Sequence, residues 1–560
     1  MAWRTAGVSV LIAFLLGTAC APSPAPGGDS SSAVRPTAER KRITAALLTG
    51  DLTTLLGTSG AEDDIEYLVH AGLAQLDLKG APQPQIAESV PSVENGLWKV
   101  LPDGRMETTW KIRSGARWHD GTPVTAQDLA FGTRLAGDPE LPYRTDPGWA
   151  SVDDVTVVDA TTVTIRWKGI YILADRMFGR PYQLLPRHLL ERSYEQDKER
   201  FEIWPYWTSE FVGAGPFKVR ELVRGSYLLL DAFDGYALGR PKVDEVELRF
   251  IPDVNTLSAN ILAGAVDFTI GNPNTVAPDE VAQLQESWPH GKVVVTNPIS
   301  DNYGMFAQQL NPSFPALRDA RFRKALLYAL DREAMNQAIM GGLSSVSHTH
   351  AVPALPDFEQ IQAGAVRYGY DPRRSAELLE EMGYRRGSGF WEDAAGRRVA
   401  FEHWSPAGGV QGRSALVATD FWKVAGLDVQ HVTLGPRIEA SARAEHPGVL
   451  TSSAGGDYSA IWRYFHSSFS PVRENGYAGS NRGRFMLQQQ DALLEHWYST
   501  VPQQERTQAL REVTRFQTEQ AIWMGYMYNP QLSMISNRLR DVAPSSYSNK
   551  TFDAHLWDIV

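Results

Sequence analysis

A chain of 560 residues, 43% hydrophobic and 10% aromatic, is too long for one compact core and has apolar side chains enough for two or three. Its net charge of −11 is mild for the length. No long basic run is present, so nucleic acid is not expected as a partner, and Arg40, Lys41 and Arg42 read as a solvated patch.

The N-terminus sets the compartment. Arg4 supplies a positive start, residues 8–16 are apolar but too short to span a hydrocarbon core of ~30 Å, and Gly17, Thr18 and Ala19 precede Cys20. Residues 1–20 therefore read as a signal peptide. Cys20 is the only cysteine in the chain, so it has no intramolecular disulfide partner. The segment resembles a bacterial lipobox, with Gly17 where that pattern has leucine, and the resemblance implies thioether lipidation. Ordinary signal-peptidase cleavage with an incidental cysteine is the alternative. Residues 21–41 read as a flexible linker, whose Pro-, Gly- and Ser-rich part from Ala21 to about Ala38 reaches at most about 60 to 70 Å. The folded body is expected from Arg42.

Along that body, 101–129 reads turn, strand, turn, helix. Pro102-Asp103-Gly104 and Asp120-Gly121 make the turns, 106–112 alternates as a strand, and Thr125 with Asp128 three residues on marks a helix start. Residues 155–167 alternate around Asp159-Ala160 as a hairpin. Pro186 opens a turn and helix at 184–190; 221–231, 245–251 and 293–297 read as strands; a helix through Ile261 and Leu262 ends at Gly264. Past Asp319 the periodicity is helical over 321–340, 372–382, 414–424 and 503–523. The fold class is α/β.

Several of these stretches carry a resemblance, in one order. They are PQIAES at 84–89, the 101–129 segment, GAGPF at 213–217, DGY with RPKVD at 234–244, FIPDVNTLSANILAGAVD at 250–267, LRDARFRKALLYALDREAMNQAIMGG at 317–342 and YDPRRSAELLEEMGY at 370–384. Together they resemble the family 5 extracellular solute-binding proteins of ABC transporters, the oligopeptide-, dipeptide- and nickel-binding type. The resemblance implies a periplasmic-binding-protein-like type II fold: two lobes with an additional inserted domain and a ligand cleft between the lobes. It places domain I at 42–68, 208–298 and 524–560, domain II at 69–207 and domain III at 299–523, with hinges near 208–212 and 297–301. It also implies a monomer outside the cytoplasm, in the periplasm or at the cell surface, held to a membrane by its lipid anchor. That monomer would deliver a small, peptide-like solute to ABC permease subunits. An oligosaccharide, a metal chelate or another metabolite as cargo, or a signalling receptor as partner, are the alternatives.

Motifs of enzyme chemistry are not evident: there is no G-x-S-x-G, no G-x-x-x-x-G-K-[ST] and no H-E-x-x-H. No catalytic residue, cofactor or metal is therefore assigned. His348 and His350 form an H-x-H in a segment that reads as an exposed loop without a carboxylate partner. The resemblance places a glycine- and aspartate-containing strand-to-helix turn at 451–469, where an aspartate of peptide-binding members pairs with a peptide's ammonium. Asp457 matches that position, or else it caps a helix. The Trp and Arg that some oligopeptide binders have before it are absent. By the same carry-over Thr53, Leu55, Asn302 and Tyr303 line the cleft, and Trp404, Tyr458 and Trp462 are aromatics placed to stack on a solute.

Overall fold

The computed structural model describes residues 40–52, 54–56, 62–138, 140, 141, 147–176, 178, 184–271, 278, 281–296, 302–435, 438–544 and 550–560. The expected signal peptide, Cys20, all but the last two residues of the linker, Thr53 and the second hinge at 297–301 lie outside these.

Seven of the described strands form one sheet, in the spatial order Gly291–Thr296, Gln531–Ser536, Phe268–Ile270, Arg42–Leu47, Glu245–Phe250, Tyr227–Ala232 and Phe217–Val223. Arg42–Leu47, apolar along most of its length, lies in the interior and pairs in parallel on both sides, with Ile43 opposite Val246 and Ala45 opposite Phe268. A second sheet runs Asp428–Leu434, Ala400–Pro406, Val449–Ala454, Asn302–Ala307 and Met524–Tyr528. A third, antiparallel one is built from Trp98–Val100, Met106–Lys111, Thr162–Trp167 and Val152–Val157. Arg40 and Arg42 at the foot of the first sheet are engaged by Asp231, Glu245 and Glu247.

Local signals resolve as their chemistry predicts. Asp128 reaches back to the Thr125 N–H at 2.8 Å and its other oxygen takes the Arg187 N–H at 2.9 Å, so one carboxylate serves the starts of two helices, Ala126–Ala136 and Arg187–Gln196. The Asp159-Ala160 hairpin forms, with Val155 opposite Ile165.

Three readings are corrected. Residues 221–231 are not one strand but two strands joined at Gly225, whose φ of +70° needs glycine. The helix over 321–340 is two, Ala320–Tyr328 and Arg332–Met340, because Asp331 takes the Ala334 N–H at 2.9 Å and starts a second. Met524–Tyr528, assigned above to domain I, pairs with Asn302–Ala307 in the second sheet, whereas Gln531–Ser536 enters the first. Met524–Tyr528 is buried throughout and Gln531–Ser536 in its middle four residues, and the chain changes sheet at Asn529-Pro530, between them.

Long-range polar contacts tie the lobes internally. Arg332 is buried with its guanidinium on the carbonyls of Gly525, Ser347 and Tyr368, and Arg323 likewise meets those of Gln520, Ala521 and Leu317. Burial pulls both down to about 10. Asp64 takes the N–H groups of Gly271 at 2.5 Å and Lys550 at 2.7 Å, and the Lys550 ammonium donates to the Gly271 carbonyl at 2.9 Å. Burial raises the Asp64 carboxyl and lowers the Lys550 ammonium, and each charge opposes the other's shift.

Where the chain passes from the third sheet back to the first, Gly213-Ala214-Gly215 packs on the backbone of Val69 and His70. A Cβ on Gly213 would fall 2.0 Å from the Val69 carbonyl oxygen, and one on Gly215 2.3 Å from the His70 nitrogen. The glycines of the GAGPF stretch are thus a matter of space. Among the described residues no helix is long and apolar enough to cross a membrane.

Candidate functional site

The strand Val449–Ala454 leads through Gly455 and Gly456 into the helix Tyr458–Phe465, and Asp457 stands at its start. The Asp457 carboxylate takes the Ala460 N–H at 2.7 Å, so the capping role is real, and the side chain remains half-buried. Gly456 leaves no room for a side chain, since a Cβ there would meet Val352 at 2.2 Å.

This helix lies against the turn that follows the third sheet. The Arg176 guanidinium sits 5.4 Å over the Tyr458 ring. Tyr498 stacks on Trp462 at 4.6 Å and meets Tyr171 edge-on at 6.0 Å, and Tyr171 stacks on Trp167 at 5.1 Å. An aromatic ladder therefore runs from the third sheet to the helix that Asp457 begins. Beside it Asp175 lies largely buried; burial pushes its carboxyl up, while Arg176 and Arg506 pull it down. Tyr458 donates to Asp357 at 2.6 Å, and Thr507 donates to the same carboxylate at 2.6 Å. Burial and that carboxylate push the phenol up.

Asn302 reaches the same corner. It is directly opposite Ala454, is fully buried, and donates to the His350 carbonyl at 2.7 Å, leaving its own Oδ1 buried without a donor. Tyr303, half-buried, stands opposite Ser453. Asp457, Tyr458, Trp462, Asn302 and Tyr303 are thus gathered at one end of the second sheet. Two candidates are not. Leu55 is buried in the core of the first lobe with its N–H on the Trp207 carbonyl at 2.8 Å, so it faces core instead of cleft. Trp404 donates to Glu402 at 2.6 Å and stands beside Leu450, roughly 13 Å along the sheet from Asn302. Thr53 lies outside the described residues.

The H-x-H segment is corrected: it is no exposed loop. His350 is 2% exposed and packed against Phe465, Trp523 and Tyr464, and His348 is half-buried. Burial holds the His350 imidazole at about 3 and His348 at about 4. Among the described residues no three His, Cys, Asp or Glu side chains converge as a metal site. A surface groove of about 800 Å³ lies elsewhere, lined by Glu359, His496, Gln504, Arg511 and Glu512 among others, and holds none of the site candidates.

Residues 81–476 match the family model of the bacterial extracellular solute-binding proteins, family 5. The chain belongs to this family. The oligopeptide-binding protein AppA of Bacillus subtilis is 26% identical over 392 residues, 67% of this chain and 66% of that one. Heme-binding protein A of Haemophilus influenzae is 24% identical over 491 residues, 84% of this chain and 83% of that one. The chain spans about half the length of other curated relatives it matches. Among solved structures, the oligopeptide binding protein of Thermus thermophilus complexed with a pentapeptide superposes with a TM-score of 0.72 at 21% identity, over 92% of this chain and 96% of that one. NikA of Brucella suis in complex with Fe(III)-EDTA gives 0.74 at 16%, over 93% and 100%. The fold of this family 5 protein is thereby the type II periplasmic-binding-protein fold, with mixed α/β lobes and a cleft. The family is one of solute-binding proteins, not of enzymes.

Sequence reading of this family 5 chain missed the residues that meet the Asp457 helix from the other side: Tyr171, Asp175, Arg176 and Tyr498. The one available signal was the polar pair Asp175-Arg176 directly after the apolar run 170–174.

Proposed function

We propose that this protein is the extracytoplasmic receptor of an ABC importer: it captures a peptide-like solute by closing its lobes and presents it to a membrane permease, tethered as a monomeric lipoprotein through Cys20. The observation that supports it most is the meeting of the Asp457 helix with Arg176 and Tyr171 from the third-sheet unit. A half-buried carboxylate with further lone pairs beyond its Ala460 bond suits a peptide's ammonium, and the flanking aromatic faces suit its side chains. The domain scheme belongs to this proposal with one change: the last crossing falls at Asn529-Pro530.

A non-peptide solute is the second reading. It is favoured by a relative named a heme-binding protein, by a structure of the same fold in complex with Fe(III)-EDTA, and by the absence of Trp and Arg just before Asp457. Native mass spectrometry of freshly purified protein separates the two. A retained mass equal to a short amino-acid sum supports the first reading; a retained mass that fits no such sum replaces it with the second.

A further inference from the structure

The helix Gly409–Val424 packs its inner face on the second sheet. Ser414, Ala415, Ala418, Thr419 and Trp422 are buried there, with Thr419 in a 2.9 Å hydrogen bond to the His403 imidazole and Trp422 donating to the Leu326 carbonyl at 3.0 Å. Its outer face is not the polar one that a surface helix ordinarily presents. Val424 is 80% exposed and Leu416 51%, and Val417 and Phe421 are half-buried.

At roughly 100° per residue, Gly409, Arg413, Leu416, Val417, Asp420 and Val424 lie along one stripe of that face. The two halves of the stripe complement each other about a point midway between Leu416 and Val417. Arg413 and Asp420, opposite in charge, stand about 5 Å to either side of it along the axis, and Gly409 and Val424 about 11 Å. Arg413 and Asp420 are exposed, and among the described residues neither has a hydrogen bond or an ion pair. Gly409 is exposed as well, and a Cβ there would meet nothing within 4 Å. A bare position at one end of the stripe thus matches a protruding valine at the other.

We propose that this stripe is a self-docking face, on which a second copy of the chain lays the same helix antiparallel about a two-fold axis between Leu416 and Val417. Arg413 of each copy then meets Asp420 of the other, Val424 of each covers Gly409 of the other, and Leu416 and Val417 pack at the centre. Such a contact is isologous and closes at two copies. A partner of any other sequence would not require charge and size to repeat in reverse order about one point. One helix face falls at the low end of specific interfaces, below about 1,200 Å² in all. Dilute protein therefore stays the monomer proposed above, and copies pair where a membrane anchor crowds them. The inference goes beyond the receptor reading and needs nothing from its cargo.

Sedimentation equilibrium of the Cys20→Ser protein, at roughly 10 to 500 µM, tests it without any contribution from acyl chains. The expected result is a reversible monomer–dimer equilibrium, weakened about tenfold by adding Arg413→Asp or Asp420→Arg, either of which sets like charges face to face twice in each pair. An equal mixture of those two variants should regain the unsubstituted affinity, because each supplies the charge that the other lacks, and so should the double variant Arg413→Asp/Asp420→Arg. Both side chains are exposed and unpaired among the described residues, so melting temperatures should not change. Monomer at every concentration overturns the proposal. So does a dimer that the single reversals leave unchanged, or one that the mixture of folded variants fails to restore.

Discussion

His119 and His70 hold consecutive amides of one loop: Nδ1 of His119 accepts the Gly213 N–H and Nδ1 of His70 the Ala214 N–H, each at 3.2 Å. Each ring then gives its Nε2–H to a carbonyl, His70 to Leu184 at 2.6 Å and His119 to Gly215 at 3.1 Å. Both imidazoles must be neutral, because a proton on Nδ1 would face an N–H.

Acid should therefore loosen this crossing. Burial holds His70 at about 3 and His119 at about 4, below the ordinary value of 6.5. The stability they contribute is complete above pH ~6.5 and is lost as the pH falls toward those folded values, where the unfolded chain binds the protons more readily. His350, His403 and His446, held at about 3, 3 and 4, act in the same direction. Calorimetric melting temperatures should fall steadily from pH 7 to 4, and less steeply in His70→Gln; a flat wild-type profile would contradict the assignment.

Gly215→Ala should destabilise by about 1 to 3 kcal/mol, since its Cβ would press on backbone that has no flexible end to yield. The shift of the urea midpoint measures it. Gly239→Ala is the contrast, because there the Cβ meets nothing within 4 Å and only the φ of +105° is strained.

Asp457→Asn keeps a competent helix cap while removing the charge. If the cargo is a peptide, affinity for one with a free amino end should drop by about 2 to 5 kcal/mol, and an N-acetylated peptide should change little. Titration of both peptides into both proteins decides it. Equal losses would leave Asp457 as a cap alone.

Tyr498→Ala removes the middle rung between Trp462 and Tyr171, contacts worth about 0.5 to 1.5 kcal/mol per aromatic pair. Small-angle scattering of the unliganded variant should show a larger radius of gyration than the wild type. Identical profiles would mean that the ladder does not hold the units together.

If Cys20 is lipidated as proposed, Cys20→Ser should move the protein from the membrane fraction to the soluble one, since two or more acyl chains at ~0.8 kcal/mol per buried CH₂ give stable attachment. Retention in the membrane fraction would refute lipidation.

What could be read in the sequence was what the chain decides locally. The Thr125 helix start and the Asp159-Ala160 hairpin depend on residues a few positions apart, and both form as read. Asp331 was equally local, but apolar periodicity runs through 321–340 and concealed the break. The burial of His350 depends on Phe465 and Trp523, more than a hundred residues away, so the segment reads locally as a polar loop. The site divides in the same way. The Asp457 turn is legible because Gly455, Gly456 and Asp457 are adjacent, whereas Tyr498 joins it only through tertiary packing. Leu55, apolar beside two threonines, gave no sign of which way it points.

The Asp64 to Lys550 clamp also sets a timetable. Strand Arg42–Leu47 is among the first of the described strands to be synthesised, yet Gln531–Ser536, which fits between Phe268–Ile270 and Gly291–Thr296, and the Lys550 that locks the loop beside it come last. At about 5 to 20 residues per second the ribosome needs on the order of half a minute to two minutes to deliver them. From the making of Phe268–Ile270 until then its outer edge stands unpaired, and Gly291–Thr296, whose described sheet partner is Gln531–Ser536, has no strand to join. An extended segment can pair with that edge, so a holding chaperone has its greatest effect on this chain before the final stretch of synthesis is complete.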